Sequence, residues 1–106
     1  LAVKIPIKYH LEEDRKILKT RNDLVKGTRH GFTLDLSPGG MSVVLDDPLK
    51  GGEVILFDLY LLHQRDNLKI YSQVRWVGPK SVGLRFLAMK PEDAKVLEDF
   101  LEKAPS

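Results

Sequence analysis

The sequence predicts a small, mainly β domain: an antiparallel barrel or sandwich of six short strands, followed by a C-terminal helix. Three observations carry this. Six stretches alternate apolar and polar residues with a period of two. Clusters of Gly, Pro, Asp, Asn and Ser separate most of them. Behind Pro91 the apolar spacing changes from two to the three-and-four of a helix.

Val3, Ile5, Ile7 and Tyr9 alternate with Ala2, Lys4, Pro6 and Lys8, which makes a half-buried strand. Pro6 has no N–H, so a free strand edge is expected there. Residues 11–30 fit a helix on Leu11, Leu18 and Val25, or two short strands turning at Asn22-Asp23. We read them as a basic, partly ordered connection. Phe32, Leu34 and Leu36 form the second strand and are expected to face inward, and Met41, Val43 and Leu45 form the third. Asp46-Asp47-Pro48 and Gly51-Gly52 mark a loop. From Val54 to Leu62 runs a long strand with Ile55, Phe57, Leu59 and Leu61 on one face, then a polar hairpin loop from His63 to Asn67. Leu68, Ile70, Val74 and Trp76 share a parity in the fifth strand, which puts Trp76 in the core or at a barrel mouth, with Lys69, Tyr71, Gln73 and Arg75 opposite. After the turn Gly78-Pro79-Lys80-Ser81, the sixth strand carries Val82, Leu84 and Phe86. Pro91 suits a first helical position, and Glu92 and Asp93 suit the positive end of the helix dipole. Ala94, Leu97 and Leu101, with Val96 and Phe100, give the helix one apolar stripe.

At 106 residues the chain supports one domain over 1–106 with one core. Because it begins at Leu1 and not Met, we expect the domain to be N-terminally trimmed or part of a longer protein. With no apolar run near the ~20 residues of a membrane span and no Cys, a cytoplasmic location is expected. The lack of Cys also excludes thiolate metal sites, and His10, His30 and His63 are too scattered to suggest a metal. No Ser-His-Asp, paired-carboxylate or phosphate-loop pattern occurs, so no enzyme is expected. A formal net charge of +2 is too small for a general DNA binder. Positive charge is concentrated instead in residues 15–30, with Arg15, Lys16, Lys19, Arg21, Lys26 and Arg29 against Asp23.

The densest cluster of special residues is Asp35-Leu36-Ser37-Pro38-Gly39-Gly40. One reading is purely structural: Ser37-Pro38-Gly39-Gly40 as a type II turn, with Pro second and Gly third. The other is a ligand site. Asp35 and Ser37 are two apart on a strand and project from the same, outward face.

"DLSPGG" fits the D/N-x-S-x-x-G pattern of PilZ domains, and "YSQVRWVGPKSVGLRFLAM", with Trp76, Gly83 and Phe86, resembles that family's last two strands. The resemblance covers nearly the whole chain. It implies a six-stranded antiparallel PilZ-like β-barrel with a C-terminal α-helix. It also implies a receptor for the bacterial second messenger cyclic di-GMP that signals to a tethered domain or partner protein. No cofactor beyond that ligand is expected.

The ligand has two guanines and two phosphates. A guanine N1–H and N2–H₂ edge needs an acceptor pair, which a carboxylate such as Asp35 offers. The Ser37 hydroxyl donates to phosphate or accepts from a base, and Gly39 and Gly40 give clearance and permit positive φ. Trp76 is a candidate base-stacking platform, and Arg15, Arg21, Arg29 and Arg75 are candidate phosphate contacts. Family members also use R-x-x-x-R just before the first strand, and no Arg in this chain has another four positions on. Arg15 with Lys19 and Arg65 with Lys69 come nearest, and Lys lacks the planar fork. The motif is therefore expected before Leu1, or lost. Its loss would suit a module that binds protein through strand 54–62 or helix 91–103 and not nucleotide. A weaker alternative is a barrel for single-stranded nucleic acid, using Tyr71 between Lys69 and Arg75.

Overall fold

The computed structural model describes residues 1–11, 29–61 and 67–103. Among them lie six strands, β1 (Pro6–Tyr9), β2 (Arg29–Ser37), β3 (Gly40–Leu45), β4 (Val54–Leu59), β5 (Leu68–Val77) and β6 (Val82–Met89), and the helix α1 (Pro91–Lys103). The strands pair antiparallel and close into a barrel in the order β1-β2-β3-β6-β5-β4. Of the two architectures the strand pattern allowed, the chain adopts the barrel. Closure removes sheet edges, so the edge expected at Pro6 does not exist. β1 pairs with both β2 and β4. Pro6 is its first residue, where a missing N–H is tolerated, and its carbonyl accepts from Tyr60 N (3.1 Å).

The interior follows the period of two over most of its length. Ile5, Ile7, Tyr9, Val43, Ile55, Phe57, Leu59, Ile70, Val74 and Leu84 are buried together. Tyr9 and Phe57 pack with ring centroids 5.3 Å apart. α1 adds Leu97 to the core, with Val96, Phe100 and Leu101 packed against it. Ala94 is exposed, because the stripe that meets the barrel centres on Leu97 and leaves position 94 to solvent. Asp93 Oδ2 accepts from Lys69 N (3.4 Å), which ties the start of the helix to β5. Among the described residues no helix is long and apolar enough to cross a membrane.

Three register shifts break the alternation, and two of them decide which residues face outward. In β2, Thr33 pairs with Val43 but Asp35 pairs with Ser42, so Leu34 is an extra, bulged residue. Thr33 is buried before the bulge and Leu36 after it. Phe32 and Leu34 therefore do not face inward as the alternation suggested. Leu34 is 40% exposed, and Phe32 lies half-buried under the Lys4 ammonium, 4.5 Å from its ring centroid. In β5, Val74 pairs with Leu84 but Trp76 pairs with Gly83, leaving Arg75 as the extra residue. Trp76 is turned out of the core and is 50% exposed. The third shift bulges Leu87 of β6, which is also exposed.

Residues 1–5 run along β2 across its bulge. Leu1 and Leu36 exchange hydrogen bonds, with the Leu1 amine donating to Leu36 O (3.0 Å) and Leu36 N donating to Leu1 O (2.8 Å). Val3 N donates to Leu34 O (3.0 Å) and Thr33 N to Ile5 O (2.9 Å). The buried Thr33 hydroxyl donates to Val3 O and accepts from Ile5 N (2.8 Å), partnering two backbone groups that the interrupted ladder cannot reach.

Candidate functional site

Cross-strand register assembles the site from four strands. One outward row runs Asp35–Ser42–Gly83–Trp76 across β2, β3, β6 and β5. The next outward row runs Ser37–Gly40–Arg85–Gln73 over the same strands, and the bulge adds Arg75 beside it. Asp35 and Trp76 stand at opposite ends of the first row, about 14 Å apart at ~4.8 Å per strand. The residues between them are small, so the sheet surface is hollowed there. The result is an open groove of about 690 Å³ whose lining includes Leu1, Asp35, Ser37, Gly40, Trp76 and Arg85.

Both ends of the row depend on a bulge. Without the extra Leu34, the phase set by Thr33 would turn position 35 into the core. Without the extra Arg75, the phase set by Val74 would do the same to Trp76. Bulges of this kind re-aim side chains beside functional sites.

Two glycines of the groove are required by close approach. A Cβ at position 83 would fall 2.0 Å from Trp76 Nε1 and 2.2 Å from Cε2, so the indole lies directly on the Gly83 backbone. A Cβ at position 40 would fall 2.3 Å from Leu84 O, so only glycine lets β3 close on β6 there. The corner itself is not a type II turn. Such a turn needs φ near +80° at its third residue, and among the described glycines only Gly52 has left-handed backbone (φ 91°). Pro38 holds its own φ near −65°, and the Gly39 carbonyl accepts from Phe86 N (2.9 Å), docking the corner on β6. Neither Gly39 nor Gly40 uses positive φ.

The polar groups are partly committed. Ser42 Oγ donates to Asp35 Oδ2 (3.1 Å), which holds the carboxylate against the groove floor and leaves Oδ1 facing no partner among the described residues. Ser37 Oγ donates to Gly40 O (3.1 Å). With its proton used there, the hydroxyl is set to accept. Two guanidiniums, Arg75 and Arg85, share the groove with the single carboxylate of Asp35.

Of the residues singled out from the sequence, Asp35, Ser37, Gly39, Gly40, Trp76 and Arg75 meet in this groove. Arg29 does not. It begins β2, at the strand end away from Ser37, and pairs with Asp47, which also accepts from the Tyr9 hydroxyl. Burial, then this bond, pushes the Tyr9 phenol well above its ordinary range. Arg15 and Arg21 lie outside the described residues, as do most of the hairpin loop after β4 and most of the connection between β1 and β2. Sequence reading passed over Arg85 and Ser42. The alternation of β6 already placed Arg85 outward, opposite Leu84 and Phe86, but only the strand register brings it beside Gly40. Among the described residues, no three His, Cys, Asp or Glu side chains are grouped to hold a metal ion.

A PilZ domain family model matches residues 2–103. No curated protein matches the chain by sequence. Several solved structures share the fold, among them the following three. The PilZ domain of CeSA from a cellulose-synthesising bacterium superposes with a TM-score of 0.67 at 16% identity, covering 96% of this chain and 93% of that one. The Bacillus subtilis inhibitor of motility MotI/DgrA gives 0.67 at 18%, covering 98% of this chain and 50% of that one. The PilZ domain of Escherichia coli YcgR, solved with cyclic di-GMP, gives 0.66 at 17%, covering 96% and 82%. At these identities the likeness is one of fold.

Proposed function

Since the chain belongs to the PilZ domain family, we propose that the groove is a receptor site for cyclic di-GMP and that its occupancy is relayed to a tethered domain or partner protein. The observation that carries this reading is the outward row Asp35–Ser42–Gly83–Trp76. It offers a fixed carboxylate for the donor edge of a guanine at one end and an exposed indole for stacking at the other. Ser37 accepts from the base or releases Gly40 O to donate to phosphate, and Gly40 leaves room for backbone contact. YcgR, which shares the fold, was solved with this dinucleotide.

Leu1 lines the groove, so a segment joined to its amine enters at the ligand. Were an R-x-x-x-R pair present in such a segment, it would reach the dinucleotide from that side. Ligand contact with such a segment would be a route by which binding is relayed.

Calorimetric titration of cyclic di-GMP against the chain and its Asp35→Ala variant tests the reading. A lost charge-assisted pair of ~1.5–3 kcal/mol corresponds to an affinity loss of about 10- to 150-fold. Equal binding by both proteins, or by neither, overturns it. Absence of binding would return the chain to the class of protein-interaction modules.

A further inference from the structure

We infer that Arg75 and Arg85 form a phosphate-binding fork on β5 and β6, supplying from within residues 1–106 the guanidinium contacts that no R-x-x-x-R in this sequence provides. The inference rests on the groove being the dinucleotide site. It deepens that reading by saying which groups hold the phosphates.

Arg85 belongs to the outward row Ser37–Gly40–Arg85–Gln73. Arg75 is the extra residue of the bulge between that row and the Trp76–Gly83 pair. The bulge therefore sets two arginines on one outer face, on neighbouring strands, in the groove that also holds Asp35 and Trp76. Both are exposed, and among the described residues neither side chain makes an ion pair or hydrogen bond. Asp35, the one acid lining the groove, is held by Ser42 instead. Two like charges side by side with no neutralising acid repel each other, and an anion between them removes that repulsion. Several other surface cations do have partners. Lys69 pairs with Asp58, Lys95 with Asp99, and Lys4 and Lys8 lie over the Phe32 and Tyr60 rings.

The chemistry selects arginine. A guanidinium presents parallel N–H donors that match two phosphate oxygens, and a lysine ammonium does not. The carboxylate of Asp35 repels a phosphate from one end of the groove, so the anionic part of the ligand is directed to the Arg75–Arg85 end and the guanine edge to the other. The fork thus fixes the orientation of the dinucleotide as well as its affinity.

The test combines ¹⁵N NMR of the arginine Nε–Hε signals with affinities for Arg75→Lys, Arg85→Lys and Lys50→Ala. Cyclic di-GMP is expected to shift both arginine signals saturably. Each Arg→Lys change is expected to weaken binding about tenfold or more, as loss of a bidentate charge-assisted contact does. Lys50→Ala, which removes a charge outside the groove, should leave affinity unchanged. Wild-type binding with both Lys variants within twofold of it overturns the fork and leaves the receptor reading standing. If cyclic di-GMP does not bind at all, the receptor reading falls and inorganic pyrophosphate becomes the probe. Saturable shifts of both arginine signals then uphold the fork as an anion site for another ligand, and their absence overturns it too.

Discussion

Gly83→Ala puts the arrangement of the groove under direct stress. The new methyl would sit 2.0 Å from Trp76 Nε1, 2.2 Å from Cε2 and 2.6 Å from Cδ1. Non-bonded heavy atoms settle at about 3.5–4 Å, so the indole must lift by roughly 1.5–2 Å or swing off the sheet. Losing the contact of one ring face exposes on the order of 50–100 Å², or about 1–2.5 kcal/mol of stability at ~25 cal/mol/Å². Better strand packing by Ala than Gly offsets part of that. The larger effect falls on binding. Stacking on an aromatic side chain contributes ~1–3 kcal/mol per base, so a displaced platform weakens cyclic di-GMP about 5- to 150-fold. Calorimetric titration of Gly83→Ala, Trp76→Ala and the double variant measures it. The two single losses should be similar and the double variant scarcely worse, because both remove one interaction. Gly83→Ala binding within twofold of wild type, in a folded protein, would refute the placement of Trp76 as the stacking surface.

Three further outcomes concern stability. Thr33→Val keeps the shape but leaves Val3 O and Ile5 N without their side-chain partner, and should cost about 2–4 kcal/mol in urea denaturation; a change below ~1 kcal/mol would contradict the role of the hydroxyl at the bulge. Ser72 Oγ is buried without a hydrogen-bond partner among the described residues, so Ser72→Ala should raise the thermal midpoint by the equivalent of about 1 kcal/mol, and a lowered midpoint would show that the hydroxyl is satisfied. The Tyr9 phenol has a raised pKa, so its contribution is intact below the ordinary tyrosine value of ~10 and is lost as pH rises through the folded-state value. Denaturation midpoints should fall between pH ~9 and ~11 more steeply for wild type than for Tyr9→Phe, and parallel pH profiles would contradict this.

Alternation made most of the barrel legible, because a period of two is the pleat itself: Ile5, Ile7 and Tyr9, Met41 and Val43, and Ile55, Phe57 and Leu59 all fell on the buried face. It misplaced Phe32, Leu34 and Trp76. One bulged residue inverts the phase of everything after it, and neither Leu34 nor Arg75 carries a sequence mark of a bulge. Asp35 and Ser37 could be read as outward facing because Leu36 sits between them, on the far side of the bulge from Thr33. The absence of left-handed backbone at Gly39 was illegible, since Pro-Gly permits more than one turn. Arg85 and Ser42 were missed for a different reason. Their outward parity was visible, but membership of the site depends on register: the bulge at Leu34 sets Ser42 opposite Asp35, and the long-range pair Gly40–Arg85 brings Arg85 to the same groove.

Trp76 is the only tryptophan in the chain, so intrinsic fluorescence reports on one end of the groove alone. Titration of the chain with cyclic di-GMP while following that emission tests the receptor site most directly. A saturable change that Asp35→Ala weakens by at least about tenfold, although residue 35 lies three strands away, is the predicted result. Emission that does not respond to the dinucleotide, or that responds identically in the Asp35→Ala variant, would contradict a site shared between these strands.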